Sequence, residues 1–284
     1  MKKIIALVMV CMMALALFGC GKSTAVKETE RLIDGIGEVT VDSEEAIEAA
    51  EAAYEALSEK DREQVSNYAA LTDARQALEA AQLEALRQSV VGTWQTKLDV
   101  TDAMVEELDA QFTGIDISFG DYLKQFDFVM VLELKEDGAY ALKPDPAGME
   151  PSMQNLREAM EPFIRDYLRA YMASALEESG IEGDFSTLEG LEAAIGMDLD
   201  SAVKQSLGMS ISDYVDTLMD EMDMDTLFAD TVDEGTYTVE PGKLQFSDES
   251  EPTDFTLEGD TLRLKVPEEN NLFGLTELAF TRVG

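Results

Sequence analysis

Residues 128–143 read FVMVLELKEDGAYALK, and this stretch decides the fold of the C-terminal part of the chain. Large apolar side chains recur at every second position from Phe128 to Leu134, which is the spacing of a strand with one buried face. The Asp-Gly pair at 137–138 is a strong signal for a tight hairpin turn. The stretch therefore predicts two antiparallel strands whose apolar face is turned towards a core.

The same alternation recurs on both sides of this hairpin. A strand opens at 92–96 with Trp94, the only tryptophan of the chain. Five more segments of this kind follow a long interruption, at 235–240, 243–246, 254–257, 261–266 and 275–283. Eight sequential strands joined by tight hairpins predict an up-and-down antiparallel barrel over residues 90–284, with a small antiparallel sandwich as the alternative.

The Gly92-Thr93-Trp94 start of the first strand, followed by this meander, resembles the lipocalin-like domains of bacterial lipoproteins. We expect a barrel that binds an apolar or amphipathic small molecule, or a peptide, at its mouth. The side chains expected to line that site are Trp94, Phe128, Met130, Tyr140, Tyr237 and Leu264. The alternative is that they plug the core, because an eight-stranded barrel is just wide enough to be filled by side chains or to hold one small ligand. The protein would then have a structural or protein-interaction role.

Residues 147–234 interrupt the strand series with a helical pattern. An apolar stripe runs from Met153 to Met172 at helical spacing, Pro151 is placed for a helix start, and Pro162 predicts a kink. The insertion holds 21 acidic and four basic residues, a net charge of −17. We expect its Met-lined side to pack against the barrel and cap one end of it. A shorter helical stretch, 101–126, separates the first two strands.

Short sequence motifs in the insertion indicate either the ends and caps of helices or a metal site. In GMDLD at 196–200 and GMSIS at 208–212, Gly is placed to end one helix, and Asp or Ser to cap the next. The acidic candidates for calcium are Asp198, Asp200, Asp223 and Asp225, but the glycine and the closing Glu spacing of a calcium loop are missing. The thioether candidates for copper(I) are Met219, Met222 and Met224, although methionine also serves as a flexible core residue. We predict no metal site and no cofactor.

Residues 25–89 predict a separate bundle of three main helices with short loops. The strings IDGIGEVT at 33–40, DSE at 42–44, AAY at 52–54 and VSNY at 65–68 resemble a small helical module of surface proteins in Gram-positive bacteria, of the "found in various architectures" kind. The resemblance implies a spacer or a binding module without catalytic residues.

The first 20 residues resemble a bacterial lipoprotein signal peptide. Lys2 and Lys3 precede an almost wholly apolar run, 4–18, which is short for a membrane span and is followed by Gly-Cys. The resemblance implies a signal peptide over residues 1–19, a lipid on Cys20 and a short tether over 20–24. The lipid would hold the protein on the extracytoplasmic face of the cell membrane. An ordinary cleaved signal peptide or a short anchor is the alternative.

Composition excludes several classes of function. The chain has no histidine and two cysteines, Cys11 in the apolar run and Cys20, so zinc enzymes and Ser-His or Cys-His hydrolases are excluded. No phosphate loop or nucleophile elbow occurs, and a hydrolase based on carboxylates is only a third alternative. The net charge of −38 argues against a nucleic-acid partner, because phosphate contacts need Lys and Arg. We predict no catalytic residues, and no pattern indicates an oligomeric state.

Overall fold

The computed structural model describes residues 22–221, 232–266 and 275–284. The chain divides into two compact units between Ser89 and Val90. The predicted signal segment 1–19 and the predicted lipid site Cys20 lie outside the described residues, so both stay predictions.

The N-terminal unit is helical. Its helices are α1 (Thr24–Asp34), α2 (Glu44–Glu55), α3 (Glu59–Arg62) and α4 (Tyr68–Val90), the last of which ends on the first residue of the second unit. Ser23 and Ser58 cap α1 and α3, because their side chains accept hydrogen bonds from backbone N–H groups of the first turn. The helices bury one apolar cluster, which includes Val26, Ile47 and Leu78.

The second unit contains a closed barrel of eight antiparallel strands in sequential order, which confirms the predicted strand count and the α+β class. The strands are β1 (Gly92–Asp99), β2 (Asp127–Leu134), β3 (Ala139–Pro144), β4 (Asp233–Glu240), β5 (Lys243–Phe246), β6 (Thr253–Glu258), β7 (Thr261–Lys265) and β8 (Glu277–Val283). The first and last strands pair and close the barrel, with Trp94 opposite Arg282. The alternative of a sandwich is thereby excluded.

The strand order gives the barrel two different ends. At one end, which we call the turn end, the connections are the short turns 135–138, 241–242 and 259–260. Each of these turns holds a glycine with a positive φ angle, a conformation that other residues rarely adopt. At the opposite end, the loop end, the chain makes the longer connections 100–126, 145–232, 247–252 and 266–276.

Helices fill the two longest of these connections. Helix α5 (Thr101–Gln111) lies between β1 and β2. Between β3 and β4 lie α6 (Pro146–Glu178), α7 (Leu188–Ile195), α8 (Leu199–Leu207) and α9 (Ile211–Glu221). Both connections contribute to one helical core, in which Phe119 and Phe126 pack with Leu156, Phe163 and Leu191 among others. The predicted insertion therefore shares its core with the 101–126 segment.

Helix α6 corrects one prediction about the insertion. The helix begins at Pro146, and both Pro151 and Pro162 lie inside it. Proline is tolerated in the first turn because the N–H that it lacks would be unpaired there, so Pro146 rather than Pro151 marks the start. The prediction that these motifs end and cap helices is confirmed for the later helices. Gly196 and Gly208 end α7 and α8 in left-handed conformation, and the Asp198 side chain accepts a hydrogen bond from the backbone N–H of Ser201.

Candidate functional site

All six side chains predicted to line a ligand site are buried within the second unit. Their fractional exposure is 0% for Trp94, and at most 8% for Phe128, Met130, Tyr140, Tyr237 and Leu264. Cross-strand pairs place them on one face of the sheet, because directly opposite residues point to the same side. The pairs that show this are Trp94 with Leu132, Phe128 with Leu98, Met130 with Thr96, Tyr140 with Leu134, Tyr237 with Phe246 and Leu264 with Phe255. The six residues nevertheless belong to different environments.

Trp94 lies where the first and last strands close the barrel. Its indole N–H donates a hydrogen bond of 2.8 Å to the carbonyl of Val90. The Arg282 guanidinium lies over the indole, with Cζ 4.1 Å from the ring centroid, and donates to the Val91 carbonyl at 2.6 Å. A cation held over an aromatic face is attracted by the ring quadrupole. Trp94 is therefore held at the turn end by the hydrogen bond from its indole N–H and by the cation over its ring.

Tyr237 is also fixed at the turn end. Its hydroxyl donates to the Lys135 carbonyl at 2.9 Å, and its backbone N–H donates to the Gly138 carbonyl at 2.7 Å. Both acceptors belong to the turn between β2 and β3. The side chain thus ties β4 to this turn, and its polar atom is engaged by the protein.

Tyr140 spans the wall between β3, β4 and the β5–β6 connection. Its hydroxyl lies 2.8 Å from Asp233 Oδ2 and 2.6 Å from Asp248 Oδ1. The ring packs edge-on against Phe246 and passes over Gly235, where an added Cβ would lie 3.1 Å from ring atom Cε1. Burial raises the pKa of Tyr140, and the hydrogen bonds to the two carboxylates raise it further.

Asp233 was not among the predicted site residues. Burial raises its pKa above the usual range, the hydrogen bond from Tyr140 opposes this change, and the nearby Asp248 carboxylate adds to it. Neither carboxylate stood out in the sequence, because 59 acidic residues make a chance pairing common. One available signal was Gly235: a glycine inside a strand often marks a close approach by another group.

Phe128 and Met130 occupy the loop end, in a cluster that also contains Val129 and the first part of α6. Met149 of α6 is fully buried in this cluster. Partly buried apolar side chains complete it: Leu98, Val100, Leu142 and Leu278. Leu264 lies beside this region, since it pairs with Leu278. The loop end therefore combines flexible and aromatic apolar side chains under a helix.

Polar contacts attach α6 to the edge of the barrel at this point. The Asp127 backbone N–H donates to Ser152 Oγ at 2.9 Å, and the Asp145 backbone N–H donates to the Val129 carbonyl at 2.9 Å. Gln95 Nε2 donates to Asp145 Oδ2 at 2.7 Å. Because Val100 contacts both clusters, the apolar cluster at the loop end continues into the helical core.

A concave surface lies between α6 and α9. This groove of about 430 Å³ is lined by Gln154, Arg157, Glu158, Glu161, Pro162, Arg165, Ser212, Val215 and Asp216. Arg157 pairs with Asp216, and Arg165 lies 3.3 Å from Glu161 and 3.2 Å from Asp200. Its lining is mostly charged, and the guanidinium groups are already paired, so it does not match the predicted apolar site.

The three described residues among the metal-binding candidates serve the helices instead. Asp198 caps α8, and Asp200 accepts from the Ile211 backbone N–H at 3.3 Å. Met219 is buried in the helical core. Asp223, Asp225, Met222 and Met224 lie outside the described residues. Across 22–221, 232–266 and 275–284, no group of three or more Asp, Glu, Cys or His could hold a metal ion.

No family model, no curated protein and no solved structure matches this chain. In the described part of the chain, no helix combines the length and the apolar character needed to cross a membrane.

Proposed function

We propose that this protein is a lipid-anchored extracytoplasmic lipoprotein whose lipocalin-like barrel binds an apolar or amphipathic small molecule, or a peptide, at the loop end. The observation that carries the proposal is the cluster of Phe128, Met130 and Met149, where a helix covers apolar side chains of the barrel. Binding sites of this kind are concave, mostly apolar and placed at barrel mouths. The protein is not an enzyme in this proposal.

The hydrogen bonds of the predicted site residues favour some of them over others as ligand contacts. Trp94 and Tyr237 direct their polar atoms to backbone carbonyls at the turn end, and Tyr140 directs its hydroxyl to two carboxylates. Displacing them would leave buried polar groups without partners, which costs roughly 1–3 kcal/mol per group. The side chains of Phe128 and Met130 are apolar and buried in the loop-end cluster, so a ligand would meet an apolar surface there. With Leu264, they are the predicted residues best suited to contact a ligand.

Met149 is the side chain that a ligand would displace. Methionine has three rotatable bonds and a polarisable sulfur, so it adapts to differently shaped apolar partners. Its position near the start of α6 means that a small movement of the first helical turns would open the cluster. The helical insertion would then act as the lid of the site.

The remaining parts of the proposal concern attachment. A lipid on Cys20 would hold the chain at the membrane, and the helical module of residues 25–89 would serve as a spacer or a protein-binding module. The charge of −38 argues for a lipid rather than a surface contact, because anionic headgroups repel acidic proteins. The same charge argues against a nucleic-acid partner.

Native mass spectrometry of the full-length protein, purified from the cells that produce it, tests the proposal. The Cys20→Ser variant should lose the covalent lipid mass and leave the membrane fraction, but should keep any bound ligand. Phe128→Trp fills part of the cluster and should reduce ligand occupancy, whereas Tyr237→Phe at the turn end should not. A Cys20→Ser variant that stays in the membrane pellet with its signal removed would contradict the lipid anchor.

The second candidate is an envelope lipoprotein with a filled barrel and a structural or protein-interaction role. The observation in its favour is that all six candidate side chains are buried. It predicts that wild-type and Cys20→Ser proteins carry no extra mass, and that a fluorescent apolar probe does not bind at the loop end. These two results together would replace the first proposal by this one.

A further inference from the structure

Two carboxylate oxygens from separate parts of the barrel lie within hydrogen-bond distance of the Tyr140 hydroxyl. Tyr140 lies on β3, Asp233 is the first residue of β4, and Asp248 follows β5 in the connection to β6. The hydroxyl oxygen is 2.8 Å from one carboxylate oxygen and 2.6 Å from the other. Both distances are in the range of O–H···O hydrogen bonds.

The Tyr140 hydroxyl makes two short oxygen–oxygen contacts but supplies only one hydrogen for them. A phenol carries one hydrogen, so it can donate to only one of the two carboxylates. The other contact places two oxygen atoms together and needs a second proton between them. If Asp233 is protonated, its carboxyl O–H can donate to the phenol oxygen, while the phenol donates to Asp248.

The surroundings favour Asp233 as the carrier of that proton. Asp233 is partly buried opposite Leu142, whereas Asp248 is exposed. Burial raises the pKa of Asp233, and the Asp248 charge adds to this effect against the opposing hydrogen bond from Tyr140. A carboxyl group that is shielded from water and close to another carboxylate keeps its proton to higher pH.

Charged groups on the neighbouring elements are directed elsewhere. Glu234 and Lys143 alternate to the outer face of β4 and β3 and are exposed. Lys243 of β5 pairs with Asp254 of β6, and Glu249 accepts from the Thr253 hydroxyl at 2.7 Å. Among the described residues of these elements, no cation is therefore positioned to neutralise Asp233.

We propose that Asp233 and Asp248 hold one shared proton at the Tyr140 hydroxyl, and that this proton forms a pH-sensitive latch between the start of β4 and the β5–β6 connection. Asp233 stands where the chain returns from the helical insertion to the barrel. Loss of the proton leaves two carboxylates with one phenol hydrogen, and their repulsion loosens this attachment. The latch does not depend on the ligand-binding function proposed above.

The sign of the pH dependence follows from proton linkage. A carboxyl group with a raised pKa in the folded state binds its proton more tightly there than in the unfolded chain. Its contribution to stability is complete below the unfolded value of about 3.9 and is lost as the pH rises through the folded value. Acidification from neutral pH therefore strengthens the latch. The opposite holds for a carboxylate whose pKa is lowered by an ion pair, because its contribution to stability is lost as the pH falls.

Thermal unfolding of the full-length protein at pH 5 and pH 7.5 tests the latch with two matched variants. Asp233→Asn provides a permanent N–H donor in place of the proton, so it should raise the melting temperature by about 2–4 °C at pH 7.5 and by less at pH 5. Glu234→Gln removes one negative charge from the outer face of the same strand and serves as the control. Equal shifts for the two variants at both pH values would overturn the proposal.

A titration of the wild-type protein provides a measurement that does not rely on a variant's folding. The side-chain carboxyl carbon of Asp233, followed by carbon NMR, should titrate above the ordinary value of about 3.9. Asp248→Asn removes the opposing charge and should lower this midpoint. A wild-type midpoint at or below the ordinary value would also overturn the proposal.

Discussion

At the turn end of the barrel, Trp94 is held by a hydrogen bond to Val90 and by the Arg282 guanidinium over its ring. At the loop end, Met149 of α6 is held by apolar contacts in a cluster with Phe128 and its neighbours on the barrel. Directional hydrogen bonds specify one arrangement, whereas contacts between flexible apolar side chains permit several. The difference indicates that closure of the barrel is specified at the turn end. At the loop end, hydrogen bonds attach α6 to the barrel edge, and the apolar side-chain cluster between them is the part able to adapt.

Replacing Trp94 by alanine should give the largest loss of stability. The substitution removes a fully buried ring and leaves a cavity beside Arg282, so we expect a loss of about 3–5 kcal/mol in the free energy of unfolding. Denaturant unfolding monitored by circular dichroism measures it. Because Trp94 is the only tryptophan, the wild-type fluorescence maximum reports directly on its environment. A maximum typical of a water-exposed indole would contradict the burial of Trp94 at the turn end.

Replacing Met149 by alanine should cost less than the change at Trp94. We expect a loss of about 2–3 kcal/mol, because the side chain is fully buried but its neighbours can move into the space. Met149→Leu preserves the volume and should cost below about 1.5 kcal/mol. The same unfolding experiment compares the two ends. If Met149→Ala and Trp94→Ala cost the same, the loop end is as strictly specified as the turn end.

The Tyr140 ring passes over Gly235 in the barrel wall, and a substitution at position 235 tests whether the packing there can accommodate a methyl group. A Cβ at position 235 would come too close to Ser247 Oγ and would lie 3.1 Å from the Tyr140 ring. Gly235→Ala should therefore destabilise by about 1–3 kcal/mol through overpacking. Gly242→Ala in the β4–β5 turn is a useful contrast, since no atom of the described residues lies within 4 Å of a Cβ there, and the strain comes from the positive φ of 73°. A Gly235→Ala protein with wild-type stability would show that the ring can move aside.

Much of the fold could be predicted because it follows from local pattern. Period-two alternation and Gly-containing turns predicted all eight strands, and Gly196 and Gly208 predicted two helix ends. The start of α6 at Pro146 was missed, because Pro151 inside the helix offered an equally plausible start and only tertiary contacts distinguish the two. Local pattern also could not show that the 101–126 segment shares a core with the insertion.

The candidate site was less predictable than the fold. Strand alternation correctly placed Trp94, Phe128 and Tyr237 on a buried face, but it could not tell the two ends of the barrel apart. That distinction depends on hydrogen bonds to Val90 and Lys135, which are set by register and turn geometry. The meeting of Tyr140 with Asp233 and Asp248 joins positions far apart in the sequence, and no pattern at a single period reveals it.

The smallest effect is expected for Tyr237→Phe, and it tests whether the turn end depends on each of its hydrogen bonds. The variant keeps the ring and removes the hydroxyl that donates to the Lys135 carbonyl at 2.9 Å. That carbonyl belongs to an exposed turn residue and can accept from water instead, so the cost should be only about 0.5–1.5 kcal/mol. Denaturant unfolding gives the magnitude, and hydrogen exchange gives its location. The Tyr237 amide, which donates to Gly138, should lose protection, while exchange at the Asp127 amide of the loop end should not change. Faster exchange at both amides would mean that the two ends open together, and the separation between a specified end and an adaptable end would no longer hold.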